Sequence, residues 1–283
     1  VQYDNPPVIL LRGGIPSELN WEEKQSVREN GKPLCMRTAR FMAKENDRLV
    51  MVSDGVTQSG QRNESYKFGW SHFELQQFIS YIASVNNGIS SADIAAQVVS
   101  RAKINDDGKP FDDMRFASLY FRTPRRMMLI SCPPALPEDN QKLIETVGQF
   151  EGEKAICGHP VAQILADGMG ARLEKIERSG DPLDVPVYRL PTFDLVTEGM
   201  VVPNRVLDML EHTPGETASA GVAGALYRML MRHDEIEFVI GLRRNPRSGA
   251  NSPDEFSLRR RILRQMAAVL STGAGKEVRI TYL

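Results

Sequence analysis

The chain has 283 residues, 41% of them hydrophobic and 25% charged, the proportions of a globular protein with room for two domains. Its 35 basic and 36 acidic residues leave a formal charge of −1, which gives no field to attract nucleic acid, and no apolar run approaches the ~18 residues of a membrane span. Cys35, Cys132 and Cys157 are odd in number and lack paired spacing, which speaks for buried thiols in a reducing cytoplasm and against a zinc site.

In chain order, residues 8–11 read as a strand closed by the turn Arg12-Gly13-Gly14. The sequence opens at Val1 almost inside this strand, so it is expected to be a piece of a longer protein. Residues 15–33 are polar and carry Pro16, Gly31 and Pro33, which predicts a loop with at most a short helix near Trp21. Residues 34–42 read as a second strand. Leu49 to Ser53 follow as a short buried strand that ends abruptly in Asp54 and Gly55. A carboxylate at a strand end suits a hard divalent cation, and glycine lets the backbone turn close beside it.

Residues 57–68 are polar and glycine-containing, predicting a mobile loop. Phe73, Phe78, Ile82 and Val85 fall near helical spacing, giving a helix over 71–85. A second helix over 90–103 is capped by Ser90 or Ser91, with Asp93 in its first turn and Ile94, Val98 and Val99 buried. The loop 105–110 then delivers Asp112 and Asp113 to a strand ending at Phe121. Asp106 and Asp107 form a rival acidic pair, which Gly108 and Pro110 mark as loop residues in solvent.

Composition shifts at Thr123-Pro124-Arg125-Arg126, which divides the chain into domains 1–125 and 126–283. Beyond it strands are expected at 127–132, 154–157, 173–176, 193–196, 236–240 and 277–282. Helices are expected at 138–148, 160–169, 204–211, 216–232 and 253–270. That alternation predicts an α/β domain with a mostly parallel sheet and helices on both faces. Ligands of such sheets bind beyond the carboxyl ends of the strands. Three loops there carry small and polar residues: Gly158 and His159; Thr197, Glu198 and Gly199; and Arg243, Arg244 and Asn245. Gly158 precedes a helix whose N-terminus could hold an anion, and either arginine could add positive charge. His72, His212 and His233 read as structural or exposed, and Arg259, Arg260, Arg261 and Arg264 as a solvated helix face.

Asp54-Gly55 at one strand end and Asp112-Asp113 at the start of another, with a helical insert between, resemble the second half of the metal-dependent (type 2C, PPM) protein phosphatases. The resemblance is to the SpoIIE branch found in bacteria. Asn5-Pro6-Pro7, the strand after it and Arg12-Gly13 resemble a stretch of that branch as well, as does the turn 43–48. It implies, for residues 1–125, an α+β domain that is part of a PPM β-sandwich. It also implies two Mn or Mg ions activating a water, with Asp54 and Asp112 as metal ligands. Asp113 would hold water or a ligand from behind, and Gly55 would permit the close approach. The family's first metal motif, an aspartate before a glycine-histidine-glycine turn, would lie upstream of Val1. Ala166-Asp167-Gly168-Met169-Gly170 reads like it but in the wrong place. Cys157-Gly158, the stretch from Asp194 to Gly199 and Asn245-Pro246 resemble a domain at the rear of some SpoIIE-type phosphatases, with His159 where a second glycine is usual.

The expected function is hydrolysis of a phosphoserine or phosphothreonine protein, by a chain that is incomplete as given. The alternative is a catalytically silent regulatory or binding module on the same fold. Asp54 and Asp112 are expected to approach each other. The first sheet is expected to be mainly antiparallel with both helices on one face, and its bare face covered by another chain, a second copy, the upstream half or the accessory domain.

Overall fold

In the computed structural model, the structure describes residues 1–3, 5–27, 31, 33–62, 66–176, 185–212, 221–243 and 255–283. It is a mixed α/β fold in two compact units, Val1–Thr123 and Pro124–Leu283. Among the described residues no helix is long and apolar enough to cross a membrane.

Unit 1 is built on a four-stranded sheet, β2 (Ile15–Ser17), β1 (Ile9–Arg12), β5 (Asp47–Val52) and β6 (Phe116–Phe121) in spatial order, with every pairing antiparallel. Period-two alternation decides its faces. Ile9, Leu11, Val50 and Val52 point into one core with Leu75, Ile79 and Ile82 of α2 (His72–Val85) and Ile94, Val98 and Ala102 of α3 (Ser91–Asn105). Both helices start on serine caps: Ser71 Oγ accepts from Glu74 N and Ser90 Oγ from Asp93 N. On the opposite face Leu119 stays half-exposed.

Arg48 lies under this sheet, 2% exposed. Its guanidinium donates to the Ile89 carbonyl at 2.5 Å and stacks on Tyr120 at 3.4 Å. It thereby ties the central strand to the α2–α3 connection.

The predicted loop over 15–33 is corrected by the structure. It contains β2 and also β3 (Trp21–Val27), which pairs with β4 (Pro33–Ala39) as a two-stranded ribbon. Nearly all of β3 is exposed, so no buried face imposes an apolar alternation and the sequence shows none. Cross-strand pairing supplies the structure instead, including a 2.8 Å ion pair between Glu23 and Arg37.

Unit 2 holds a seven-stranded sheet in the order β13 (Glu277–Tyr282), β12 (Glu235–Ile240), β7 (Arg126–Ser131), β8 (Glu153–Cys157), β11 (Leu195–Thr197), β10 (Val187–Arg189), β9 (Glu174–Ile176). The first five run parallel, and β10 and β9 close the edge antiparallel. β10 falls between the strands expected at 173–176 and 193–196, in a stretch carrying Pro182, Pro186 and Pro191. Strand β7 is buried on both sides. Met127 and Leu129 join α6 (Val201–His212), α7 (Val222–Arg232) and α8 (Glu255–Gly273) in one core, while Met128 and Ile130 join α4 (Asn140–Gln149) and α5 (His159–Gly168) in the other. A continuous apolar run is what such a central strand requires.

His233 follows α7 at 3% exposure, its Nδ1 2.6 Å from the Met229 carbonyl and its Nε2 3.8 Å from the Glu153 carboxylate. Burial holds its pKa below the ordinary value of 6.5. That outweighs the Met229 carbonyl and Glu153, which favour the proton; Arg232 and Arg125 act with burial. The unfolded chain therefore takes up a proton where the folded chain stays neutral, so stability rises with pH across that window. Unit 2 is expected to keep its full His233 contribution above about pH 6.5 and to lose it as the pH falls below, levelling off once the folded-state value is passed. Urea unfolding of wild type and His233→Gln across this range checks it: the variant should show the shallower acid slope. Equal slopes would remove His233 from the acid response.

Candidate active site

Where β5 ends and β6 begins, Ser53 stitches the two chain segments together. Its N–H donates to the Arg115 carbonyl at 3.0 Å, its hydroxyl donates to the Asp113 carbonyl at 2.6 Å, and the Arg115 N–H donates to that hydroxyl at 2.9 Å. The short helix α1 (Asp54–Thr57) begins one residue later. Gly55 packs on the other segment so closely that a Cβ there would lie 2.7 Å from the Asp113 carbonyl oxygen and 3.3 Å from the Asp112 carbonyl carbon. The backbones carrying Asp54 and Asp112 are thus neighbours, and only the absence of a side chain on Gly55 permits it.

Each carboxylate is oriented by the amide that follows it. Asp54 Oδ1 accepts from Gly55 N at 3.0 Å and Asp112 Oδ1 from Asp113 N at 2.7 Å. Asp113 instead forms a solvent-exposed 2.9 Å ion pair with Arg115. The oxygen chemistry of Asp54 and Asp112 suits Mg or Mn. Their number does not: among the described residues no group of three or more His, Cys, Asp or Glu side chains could hold a metal ion. The described residues are therefore too few to make a metal centre by themselves.

Asp106 is not the solvated loop residue that the sequence suggests. It closes α3 at 6% exposure and accepts from Gly60 N at 2.6 Å. The neighbouring Asn105 Nδ2 donates to the buried Ser59 hydroxyl at 3.1 Å. These two bonds pin the turn after α1 to the end of α3. Asp107 is exposed. Between turn and loop lies a cavity of 220 Å³ lined by Gly55, Gln58, Gln61, Arg62, Phe111 and Asp112, among others. Arg62 stands over the Phe111 ring at 4.0 Å.

Asp167 lies in unit 2, in the last turn of α5, where it accepts from Gln163 Nε2 at 2.7 Å, an ordinary pair one helical turn apart. Gly168 lacks a side chain because Ile144 of α4 fills that space. The glycines after Asp167 thus answer to helix packing and helix termination.

At the carboxyl edge of the unit 2 sheet, the structure gathers two of the three predicted loops around a residue the sequence reading misplaced. Gly158 (φ 136°) precedes α5 and donates its N–H to the Thr197 carbonyl at 2.8 Å. Glu198 accepts from Met200 N at 2.6 Å and Val202 N at 2.7 Å, so its carboxylate caps the start of α6. Arg259, expected on a solvated face, is 5% exposed, and its guanidinium lies directly against Gly158 and Gly199. Its spacing was the available signal: 259, 262, 263, 266 and 270 form one helical stripe, and Ile262, Leu263, Met266 and Leu270 on it are buried. The His159 ring lies beside Tyr188 at a tilt of 60°, with ring centroids 5.1 Å apart. Arg243 donates to the Pro134 carbonyl at 3.1 Å, while Arg244 and Asn245 lie outside the described residues.

Cys157 ends β8 fully buried. Burial above all, then the charge of Glu198 and the nearby Cys132, push its thiol far up, with Arg259 opposing. It is a packing residue with negligible thiolate, unsuited to nucleophilic chemistry.

No family model matches the chain, and no curated protein matches it. Among solved structures, it is similar to the phosphatase domain of the cell-fate determinant SpoIIE from Bacillus subtilis. The likeness is at 16% identity, with a TM-score of 0.29 to the manganese-presoaked form and 0.28 to a second structure of the domain. The matches cover 43% and 41% of this chain and 50% and 48% of those chains, so the chain spans about half the length of the domain it resembles.

Proposed function

We propose that unit 1 is part of a metal-dependent protein serine/threonine phosphatase, in which Asp54 and Asp112 supply two of the carboxylate ligands to Mn or Mg. The supporting observation is the contact of Gly55 with the Asp112–Asp113 backbone, which brings the two carboxylate-bearing strand ends together. The substrate in this reading is a phosphoprotein, and the remaining ligands come from outside the described residues. Residues 126–283 are proposed as an α/β accessory domain with its ligand loops at the carboxyl edge of the sheet. A second reading, a catalytically silent module, draws support from the ion pair of Asp113 with Arg115 and from the short ligand set.

Calorimetric titration of Mn²⁺ and hydrolysis of a phosphoserine peptide separate the two. Residues 1–283 are expected to bind Mn weakly and to turn over negligible peptide. A chain extended upstream should bind tightly and hydrolyse, and Asp54→Asn in it should cost orders of magnitude in rate, because ligand loss removes both nucleophile and charge stabilisation. No Mn binding and no turnover by the extended chain would leave the silent module. Turnover that survives Asp54→Asn would overturn the assignment of Asp54.

A further inference from the structure

We infer that the 220 Å³ cavity beside Asp112 is the seat of the substrate's phosphoryl group, and that Arg62, held on Phe111, is the residue that binds it. The inference rests on the phosphatase reading above and adds to it the residue that recognises the substrate. The cavity lies below the ~300–1,000 Å³ of sites that engulf a whole small molecule. It is therefore sized for one group of a larger substrate, as a phosphorylated side chain would present. Its walls come from the turn after α1 and from the loop before β6, the two segments that also carry Asp54 and Asp112.

Its charges are specific. Asp106 is also part of the wall, one of its carboxylate oxygens being taken by Gly60 N, so that Asp106 and Asp112 are the acidic groups of the cavity and Arg62 is the basic one. Among the described residues Arg62 makes no ion pair or hydrogen bond, and its guanidinium lies over the face of Phe111. Stacking on an aromatic ring immobilises a guanidinium in a plane while its in-plane N–H groups remain available, the arrangement that takes an oxyanion bidentately.

The backbone beneath it is held in place. Gly60 (φ 83°) is bonded to Asp106, Ser59 receives the Asn105 amide, and Gln61 N donates to the Gln58 carbonyl at 3.1 Å. The turn that places Arg62 is thus set before any ligand arrives, which lowers the ordering cost of binding. Asp112 and Asp106 on the same wall repel an anion, so without metal the affinity is modest and Arg62 acts against both carboxylates.

Inorganic phosphate, titrated into metal-free residues 1–283 with chelator present and followed by amide chemical shifts, tests this. Wild type should show saturable shifts at Gln58, Gln61, Arg62 and Asp112. Arg62→Ala should weaken binding about tenfold or more, and Arg62→Lys should recover only part of it, because lysine keeps the charge and loses the fork. Asp112→Asn should tighten phosphate binding by removing the like charge. Arg62 is exposed, so these variants are expected to keep the wild-type amide spectrum elsewhere. Wild-type affinity in Arg62→Ala would overturn the inference, as would no shifts at these residues at tens of millimolar phosphate. No metal takes part, so failure of manganese binding, which bears on the phosphatase reading, is scored separately.

Discussion

Gly241→Ala is expected to cost unit 2 about 3 kcal/mol or more, among the largest effects any single methyl group could have in this protein. Gly241 follows β12, and a Cβ there would overlap the carbonyl groups of Pro133 and Cys132. Neither neighbour is a side chain that can swing aside. Both belong to the turn that leaves β7, where Cys132 already sits at φ 62°. The surrounding backbone is tied as well. Gly241 N donates to the Ser131 carbonyl at 2.9 Å, Leu242 N to the Leu283 carbonyl at 2.7 Å, and Arg243 N to the Pro133 carbonyl at 3.2 Å. Relief of the overlap must break part of this ladder where β12 and β7 leave the sheet. Domain stabilities run to about 5–15 kcal/mol, so the loss is a large fraction of the total. Urea unfolding with amide exchange at β7 and β12 measures it. An unchanged midpoint and unchanged protection would mean that the approach of Gly241 to the β7 turn is dispensable.

Gly55→Ala should act differently: little on overall folding and strongly on the carboxylate pair. Alanine favours the helical conformation by roughly 1 kcal/mol over glycine, and Gly55 has no left-handed φ to forbid it. Against that gain stands a Cβ 2.7 Å from the Asp113 carbonyl oxygen and 3.1 Å from its carbon. The loop before β6 has to yield, because α1 is anchored by the turn that follows it. Asp112 then withdraws from Asp54. Misplacing a catalytic group by about 1 Å can cost on the order of 10²-fold in rate, and a metal shared between two carboxylates is as sensitive to their spacing. The expected outcome is a small change in melting temperature with Mn affinity reduced at least tenfold in the upstream-extended chain. If Mn affinity and melting temperature both stay at wild-type values, the close contact has no part in the site.

The two positions also show how far the sequence could be read. Gly55 was visible because it follows an aspartate at the end of an apolar strand, and both features are local. Gly241 looked like any glycine after a strand. Its constraint comes from Pro133, far away in the chain, and no local pattern encodes that.

The elements of unit 2 were legible for the same reason that Asp54-Gly55 was. Strands buried on both faces must be apolar throughout, helices over a sheet must be apolar along one stripe, and both demands leave a mark within a few residues. By itself, then, the sequence determined the order of most strands and helices. The tertiary structure decided the fate of the polar residues. Asp106 became a structural acceptor for Gly60, Glu198 a helix cap, Arg48 and Arg259 buried cations, and the polar residues Trp21–Val27 a strand paired with β4. A polar group can be buried only where a partner meets it, and those partners are supplied by folding, often from residues remote in sequence. Apolar burial needs only a face to sit on, and therefore shows in the periodicity of the chain.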